Sequence, residues 1–107
     1  MQEKEKPVYD MKNLQKFERI GQLSPEAFKA FVEFDRAALK AGAISAKHKE
    51  LMAVAIALTT QCPYCIDIHA KRARSAGATE EELAETGLVA AALRAGAAMT
   101  HTTHALE

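Results

Sequence analysis

The sequence predicts an all-α fold, a compact bundle of about five helices. Apolar residues recur at helical spacing in successive segments, and no stretch alternates with the period of two that marks a half-buried strand. Residues typical of helix N-caps and of helix ends separate these segments. With 107 residues, 49% of them hydrophobic, the chain has the size of one domain and enough apolar material for a core.

Three regions are expected along the chain. Residues 1–8 are charged and contain Pro7, which indicates a flexible N-terminal arm. Residues 9–99 are expected to form the helical domain. Residues 100–107 are weakly periodic and are expected to form a C-terminal tail. His101 and His104 fall in this tail, so we interpret them as solvated side chains and not as a site.

Spacing and capping predict the first two helices. A short amphipathic helix ending at Gly21 is predicted by apolar residues about three positions apart, namely Met11, Leu14, Phe17 and Ile20. Ser24 as N-cap and Pro25 at the first helical position predict the start of the second helix. Its expected end is Gly42, and its apolar face comprises Phe28, Phe31, Val32, Ala38 and Leu39.

The third predicted helix begins after Ser45 and is expected to be the central buried helix. Residues 51–58 form an uninterrupted apolar run, so a helix there is apolar on all sides. The polar residues 59–61 are expected to break this apolar run. Judged from its position alone, Glu50 is expected to be an ordinary solvated glutamate in the first turn.

Both cysteines of the chain lie in a Cys-x-x-Cys motif at the predicted N-terminus of the fourth helix. A helix from about Pro63 places Cys62, Cys65 and His69 on one face, because residues three, four and seven apart are neighbours. This helix is expected to end at Gly77. A capping-box pattern at residues 79 and 82 predicts a fifth helix, whose small residues allow close approach of another helix within the fold or between subunits.

This motif has the parts of a redox-active thiol site. A thiol reacts as its thiolate, which a helix N-terminus or a neighbouring base favours. Cys62 and Cys65 are spaced to close a disulfide, so one thiol could attack an oxidant or a disulfide and the other could resolve the intermediate. The helix dipole alone favours Cys62 as the nucleophile.

Two other interpretations of the motif are a glutaredoxin site and a zinc site. Cys-Pro-Tyr-Cys is typical of glutaredoxins, but that fold needs a strand before the cysteines and a later cis-proline, and no proline follows Pro63. Zinc could be bound by Cys62, Cys65 and His69, with His101 or His104 as the fourth ligand. The irregular spacing of that fourth ligand disfavours zinc. We expect no resident metal and no cofactor.

Composition limits the partners and the compartment. Fourteen basic and fourteen acidic residues give a formal charge of zero without a basic stripe, so neither nucleic acid nor a membrane surface is an expected partner. No secretory signal is visible, and the longest apolar run is far shorter than the roughly 20 residues that span a bilayer. We expect a soluble cytoplasmic protein. In the cytoplasm a Cys-x-x-Cys pair is more often redox-active or metal-binding than a structural disulfide.

The spacing of Glu50, Cys62, Cys65 and His69 resembles the signature of the AhpD-like alkylhydroperoxidases of the carboxymuconolactone decarboxylase superfamily. The surroundings are similar too, over roughly residues 25–98. They include the segments Lys49-Glu50-Leu51, Tyr64-Cys65-Ile66, Ala76-Gly77-Ala78-Thr79 and Glu81-Glu82-Leu83.

This resemblance implies an all-helical antioxidant enzyme, a thiol-dependent peroxidase that reduces hydroperoxides through a Cys62/Cys65 redox disulfide. By the same resemblance Cys65 attacks the peroxide, Cys62 resolves the intermediate, and Glu50 with His69 forms a proton relay. The implied partners are a hydroperoxide, a dithiol or protein reductant, and further copies of the chain in a dimer-based homo-oligomer such as a hexamer.

Two alternatives to a peroxidase stay open. The first is a redox-sensing or disulfide-exchange module whose disulfide alters assembly without peroxidase turnover. The second is an enzyme similar to carboxymuconolactone decarboxylase. Enzymes of that kind resemble this chain in fold but lack the cysteine pair, so the pair argues against decarboxylation.

Overall fold

The computed structural model describes residues 9–107, and all regular structure in this range is helical. Its α-helices are α1 (Phe17–Leu23), α2 (Pro25–Leu39), α3 (Ala46–Thr60), α4 (Pro63–Ser75) and α5 (Glu80–His101), with 3-10 helices at Met11–Lys16 and Thr102–Ala105. The all-α prediction and the number of helices are confirmed. The expected N-terminal arm lies outside the described residues. Within them, no helix has the length and apolar character needed to cross a membrane.

The chain divides into two units, residues 1–40 and 41–107. In the first unit α1 packs against α2, and the rings of Phe17 and Phe28 meet edge to face with centroids 5.3 Å apart. The predicted end of the first helix at Gly21 is wrong, because α1 continues to Leu23. A Cβ atom at Gly21 would lie 2.8 Å from the Phe28 ring. This glycine therefore makes room for an aromatic ring and does not end the helix.

The second helix begins as predicted, with Ser24 before it and Pro25 in its first turn. It ends at Leu39, three residues before the expected stop at Gly42, because Lys40 takes an extended conformation with φ −65° and ψ 142°. The predicted apolar face is only partly covered, and Phe31 remains 53% exposed.

In the second unit, α3 packs against both α4 and α5. The buried apolar side chains of this unit are small, comprising Val54, Ala57, Ala73 and Ala90. Helix α3 is central here as predicted, but it is only partly buried. Met52 and Ile56 remain 49% and 60% exposed, because two helices cover only part of its circumference.

Residues 59–61 connect α3 to α4 in a way the sequence did not predict. Thr59 and Thr60 are the last residues of α3, and their hydroxyls donate to the carbonyl of Ile56 at 2.7 and 3.1 Å. Gln61 ends the helix in the left-handed conformation, with φ 58° and ψ 45°. The N–H of Cys62 then donates to the carbonyl of Ala57 at 3.1 Å, a Schellman-type bond. The chain thereby turns into α4 within two residues.

The remaining helix boundaries match the prediction except at the C-terminus. Gly77 has φ 101° after α4, and Thr79 and Glu82 form both bonds of the capping box, at 3.1 and 3.0 Å. Helix α5 runs through His101 and a 3-10 helix follows, so the residues expected to form a C-terminal tail are helical up to Ala105. The alanine-rich second half of α5 favours a helix and contains no proline. His101 and His104 are exposed, with ring centroids 5.3 Å apart.

Candidate active site

Cys62 is the N-cap of α4. Its backbone is extended, with φ −97° and ψ 101°, and its Sγ accepts a hydrogen bond from the N–H of Cys65 at 3.4 Å. A serine or aspartate oxygen usually takes this position. Pro63 follows at the first helical position. A backbone N–H there would have no intrahelical acceptor, so the lack of one in proline breaks no helical hydrogen bond. The predicted placement of the motif at a helix N-terminus is confirmed.

The sulfur atoms of Cys62 and Cys65 lie 2.8 Å apart. Both residues are free cysteines, and both are partly exposed. The reduced pair is therefore already in contact and open to solvent. A disulfide between them requires only a small further approach of the sulfurs.

Hydrogen bonds to Cys62 favour its thiolate. The side-chain hydrogen bond with Cys65, followed by the backbone N–H groups of Cys65 and Tyr64, holds the pKa of Cys62 below its ordinary value, while burial acts in the opposite direction. The thiolate population of Cys62 rises as the pH rises through this lowered pKa. The helix dipole at the N-terminus of α4 also favours the thiolate of Cys62.

Glu50 on α3 and His69 on α4 form the second close pair. Oε2 of Glu50 lies 2.6 Å from Nδ1 of His69, and the side chains are only 11% and 16% exposed. The expectation of a solvated glutamate is therefore wrong. Glu50 lies on the same face of α3 as the buried Val54 and Ala57, four and seven residues further on. Its carboxylate is directed towards the helix that bears the cysteines.

The four residues identified in the sequence thus lie on one helical hairpin as two close pairs. His69 follows Cys65 by four residues, which places the two side chains one turn apart on the same face of α4. Nδ1 of His69 faces Glu50, so the other ring nitrogen, Nε2, takes no part in this contact.

Arg94 is a neighbour of this region that sequence reasoning missed. Its Nη1 donates to the carbonyl of Thr59, which is 35 residues earlier in the chain and three residues before Cys62. No local pattern in α5 signals this contact. A second link between α3 and α5 is the ion pair of Lys47 and Glu82, at 3.0 Å.

The structure also bears on metal binding. Among residues 9–107, no group of three or more His, Cys, Asp or Glu side chains is arranged to hold a metal ion. The zinc alternative therefore finds no ligand set in this part of the chain. His101 and His104 contact each other at the end of α5.

An open groove of about 410 Å³ lies between α3 and α5. Polar side chains of His48 and Glu85 line it together with apolar ones, including Met52 and Val89. The two cysteines are not among its lining residues.

Comparison with known proteins gives consistent matches. A model of the carboxymuconolactone decarboxylase family matches residues 25–107, the part of the chain that begins with α2. The chain is 47% identical over 77 residues to a protein of Paracoccus denitrificans named uncharacterized protein 4 in cox locus, covering 72% of this chain and 69% of that protein.

Two crystal structures have a similar fold. A protein from Methanobacterium thermoautotrophicum matches with a TM-score of 0.76 and 36% identity, covering 80% of this chain and 97% of that one. The apo form of a carboxymuconolactone decarboxylase family protein from Legionella pneumophila matches with a TM-score of 0.71 and 36% identity, covering 75% of this chain and 71% of that one.

Proposed function

Because this chain belongs to the carboxymuconolactone decarboxylase family, as an AhpD-like member, we propose that it is a thiol-dependent peroxidase that reduces hydroperoxides through a Cys62/Cys65 disulfide. The observation that supports this most directly is the 2.8 Å separation of the two sulfur atoms at the N-terminus of α4. The buried Glu50–His69 pair on the same hairpin supplies groups for proton transfer.

The reaction begins with Cys65. Its thiol proton passes to the Cys62 thiolate, and its sulfur attacks the terminal oxygen of the hydroperoxide. The O–O bond breaks, which leaves a sulfenic acid on Cys65 and an alkoxide. The alkoxide takes up a proton through the pair of His69 and Glu50 and leaves as an alcohol.

The second half of the reaction closes the disulfide. Cys62 gives up its proton, attacks the sulfur of the Cys65 sulfenic acid and displaces hydroxide, which is protonated to water. One hydroperoxide and two thiols have then become one alcohol, one water and one disulfide. An external dithiol or a protein with a dithiol site reduces the disulfide by exchange and is itself oxidised. The expected cytoplasmic location would keep the resting pair reduced.

Glu50 supports His69 in this scheme. At 2.6 Å the carboxylate fixes the ring and its tautomer, with Nδ1 towards Glu50 and Nε2 left for the reacting thiols. The low exposure of both side chains reduces competition from bulk water for this hydrogen bond.

The experiment that tests the proposal is steady-state consumption of tert-butyl hydroperoxide with dithiothreitol as the reductant. We expect many turnovers by the wild-type chain and none by Cys65→Ser. Thr100→Ser, an exposed substitution on α5 that also introduces a serine, should retain full activity. Consumption of a single equivalent would identify a redox-sensing module instead. Full turnover by Cys65→Ser would exclude the proposed peroxidase.

A decarboxylase-like enzyme fits the family equally well, but the paired thiols favour redox chemistry. A lactone-decarboxylase activity that survives replacement of both cysteines would decide for that alternative.

We also propose that the chain forms a dimer-based homo-oligomer. Apolar side chains of α3 and α5 remain exposed, among them Met52, Ile56, Val89 and Leu93. Met52 and Val89 line the same open groove, and exposed apolar patches are typical of protein interfaces. The second half of α5, residues 91–101, is exposed along its whole length.

A further inference from the structure

The α3–α4 connection brings together helix ends of opposite polarity. Helix α3 ends at Thr60, α4 begins at Pro63, and the thiol of Cys62 lies at the junction. The N-terminus of α4 favours a negative charge on that thiol, whereas the carbonyl end of α3 opposes it. The last turn of α3 contains no basic residue of its own.

Arg94 brings a positive charge to this carbonyl end from another helix. Its guanidinium donates from α5 to the carbonyl of Thr59, one of the four last-turn carbonyls that lack an intrahelical partner. A cation that bonds the last carbonyls of a helix also interacts favourably with the helix dipole.

The other bonds of this turn, within the part of the chain that the structure describes, come from neutral groups. The carbonyl of Ile56 accepts from the hydroxyls of Thr59 and Thr60. The carbonyl of Ala57 accepts from the N–H groups of Gln61 and Cys62. These bonds satisfy the carbonyls, but only the contact of Arg94 also supplies a full charge.

We propose that Arg94 is a positioning residue for the thiol pair: it holds the end of α3 in place and neutralises its carbonyl dipoles, which favours the ionised form of Cys62. The inference rests on the proposed function for its catalytic consequence, because the Cys62 thiolate is the base that receives the proton of Cys65. Besides Cys62, the ionisable groups of the site include Cys65 and His69 on α4, Glu50 on α3 and Arg94 on α5.

The size of the effect follows from the strength of charge–dipole interactions. Removing one charge at an exposed helix terminus should raise the pKa of Cys62 by roughly half a unit. At a pH below that pKa, the thiolate population falls about threefold, and the alkylation rate falls with it. High salt should reduce the difference.

The test is the pH dependence of Cys62 alkylation by iodoacetamide in the full-length reduced chain, with the modified residue identified by peptide mass spectrometry. Arg94→Gln and Arg94→Met remove the charge, and Arg94→Lys keeps it. Arg72→Gln is the matched control, because it removes an exposed arginine from the last turn of α4. Arg94 is exposed and the replacements are good helix formers, so the variants should keep the fold, which circular dichroism checks.

We expect the pKa of Cys62 to rise in Arg94→Gln and Arg94→Met and to stay near the wild-type value in Arg94→Lys and Arg72→Gln. An unchanged pKa in the two neutral Arg94 variants would overturn the inference. An equal rise in Arg72→Gln would also overturn it, because net charge would then be the cause. Hydroperoxide turnover is measured on the same samples: its absence from the wild type would overturn the proposed function, not the effect of Arg94 on the thiol.

Discussion

At the scale of single residues, the contact of Glu50 with His69 is the feature that distinguishes this site from a simple pair of neighbouring cysteines. A carboxylate with 11% side-chain exposure has lost much of its hydration, and the imidazole at 2.6 Å is the partner that compensates. Both side chains come from the α3–α4 hairpin, so their contact depends on the packing of these two helices.

The first prediction concerns this carboxylate. Glu50→Gln keeps the size of the side chain but removes the carboxylate charge beside Nδ1 of His69. We expect peroxide turnover to fall about 100-fold, the size of a general acid–base contribution, while the two thiols can still be oxidised to a disulfide. The measurement is the steady-state rate of hydroperoxide reduction.

The control for this variant is Glu85→Gln. Glu85 is an exposed glutamate on α5 and should leave turnover within about twofold of wild type. Equal rates for Glu50→Gln and the wild-type chain would remove Glu50 from the proposed relay.

Single residues also show which features of the site can be predicted from the local sequence. The helical repeat predicted that Cys62 and Cys65 would share a face, because their separation is fixed within one helix. The first-turn position of Glu50 wrongly predicted a solvated side chain, since its burial depends on which face of α3 meets α4. Only the family resemblance identified Glu50. Arg94 contacts a residue 35 positions away and had no local signal at all.

At the scale of helices, the two glycines Gly21 and Gly77 explain why some boundaries were predicted and others were not. Gly77 lies at φ 101°, a conformation that glycine adopts without cost. The end of α4 can therefore be predicted from the local sequence. Gly21 serves the packing of Phe28, a contact between two helices that the sequence does not display. The capping box at Thr79 was predictable for the same reason as Gly77, because both its bonds lie within four residues.

The second prediction tests the end of α4. Gly77→Ala should lower the free energy of unfolding by about 1 kcal/mol, because a Cβ atom is strained at positive φ. No atom lies within 4 Å of the added Cβ, so backbone strain is the only cause. Urea unfolding followed by circular dichroism measures the change.

Gly96→Ala is the matched control for this substitution. Gly96 also has no atom within 4 Å of an added Cβ, but it lies inside α5 with helical φ. This variant should be more stable than wild type by roughly 0.5–1 kcal/mol. A loss of stability in both variants would contradict the strain argument.

At the scale of the whole molecule, the single chain leaves much apolar surface uncovered. Among residues 9–107, no large side chain is fully buried. Val89 and Leu93 on α5 remain 59% and 66% exposed. Because apolar surface gains roughly 25 cal/mol per Å² when it leaves water, association of chains through α3 and α5 would be favourable.

The third prediction follows from that surface. The wild-type chain should have the mass of an oligomer by light scattering at about 50 μM, a concentration at which even a micromolar interface is occupied. Val89→Glu should reduce the mass towards that of the monomer, because it places a charge on the apolar face. Leu106→Glu, at another exposed apolar residue near the C-terminus, should leave the mass unchanged. A wild-type chain that is already monomeric would contradict the proposed assembly.

The most direct test of the central claim is a thiol count on the reduced wild-type protein before and after one equivalent of hydroperoxide per chain. The proposed peroxidase predicts the loss of two thiols per chain, with both returning after treatment with a dithiol. Retention of both thiols, or a permanent loss of only one, would contradict a Cys62/Cys65 redox disulfide as the basis of the activity.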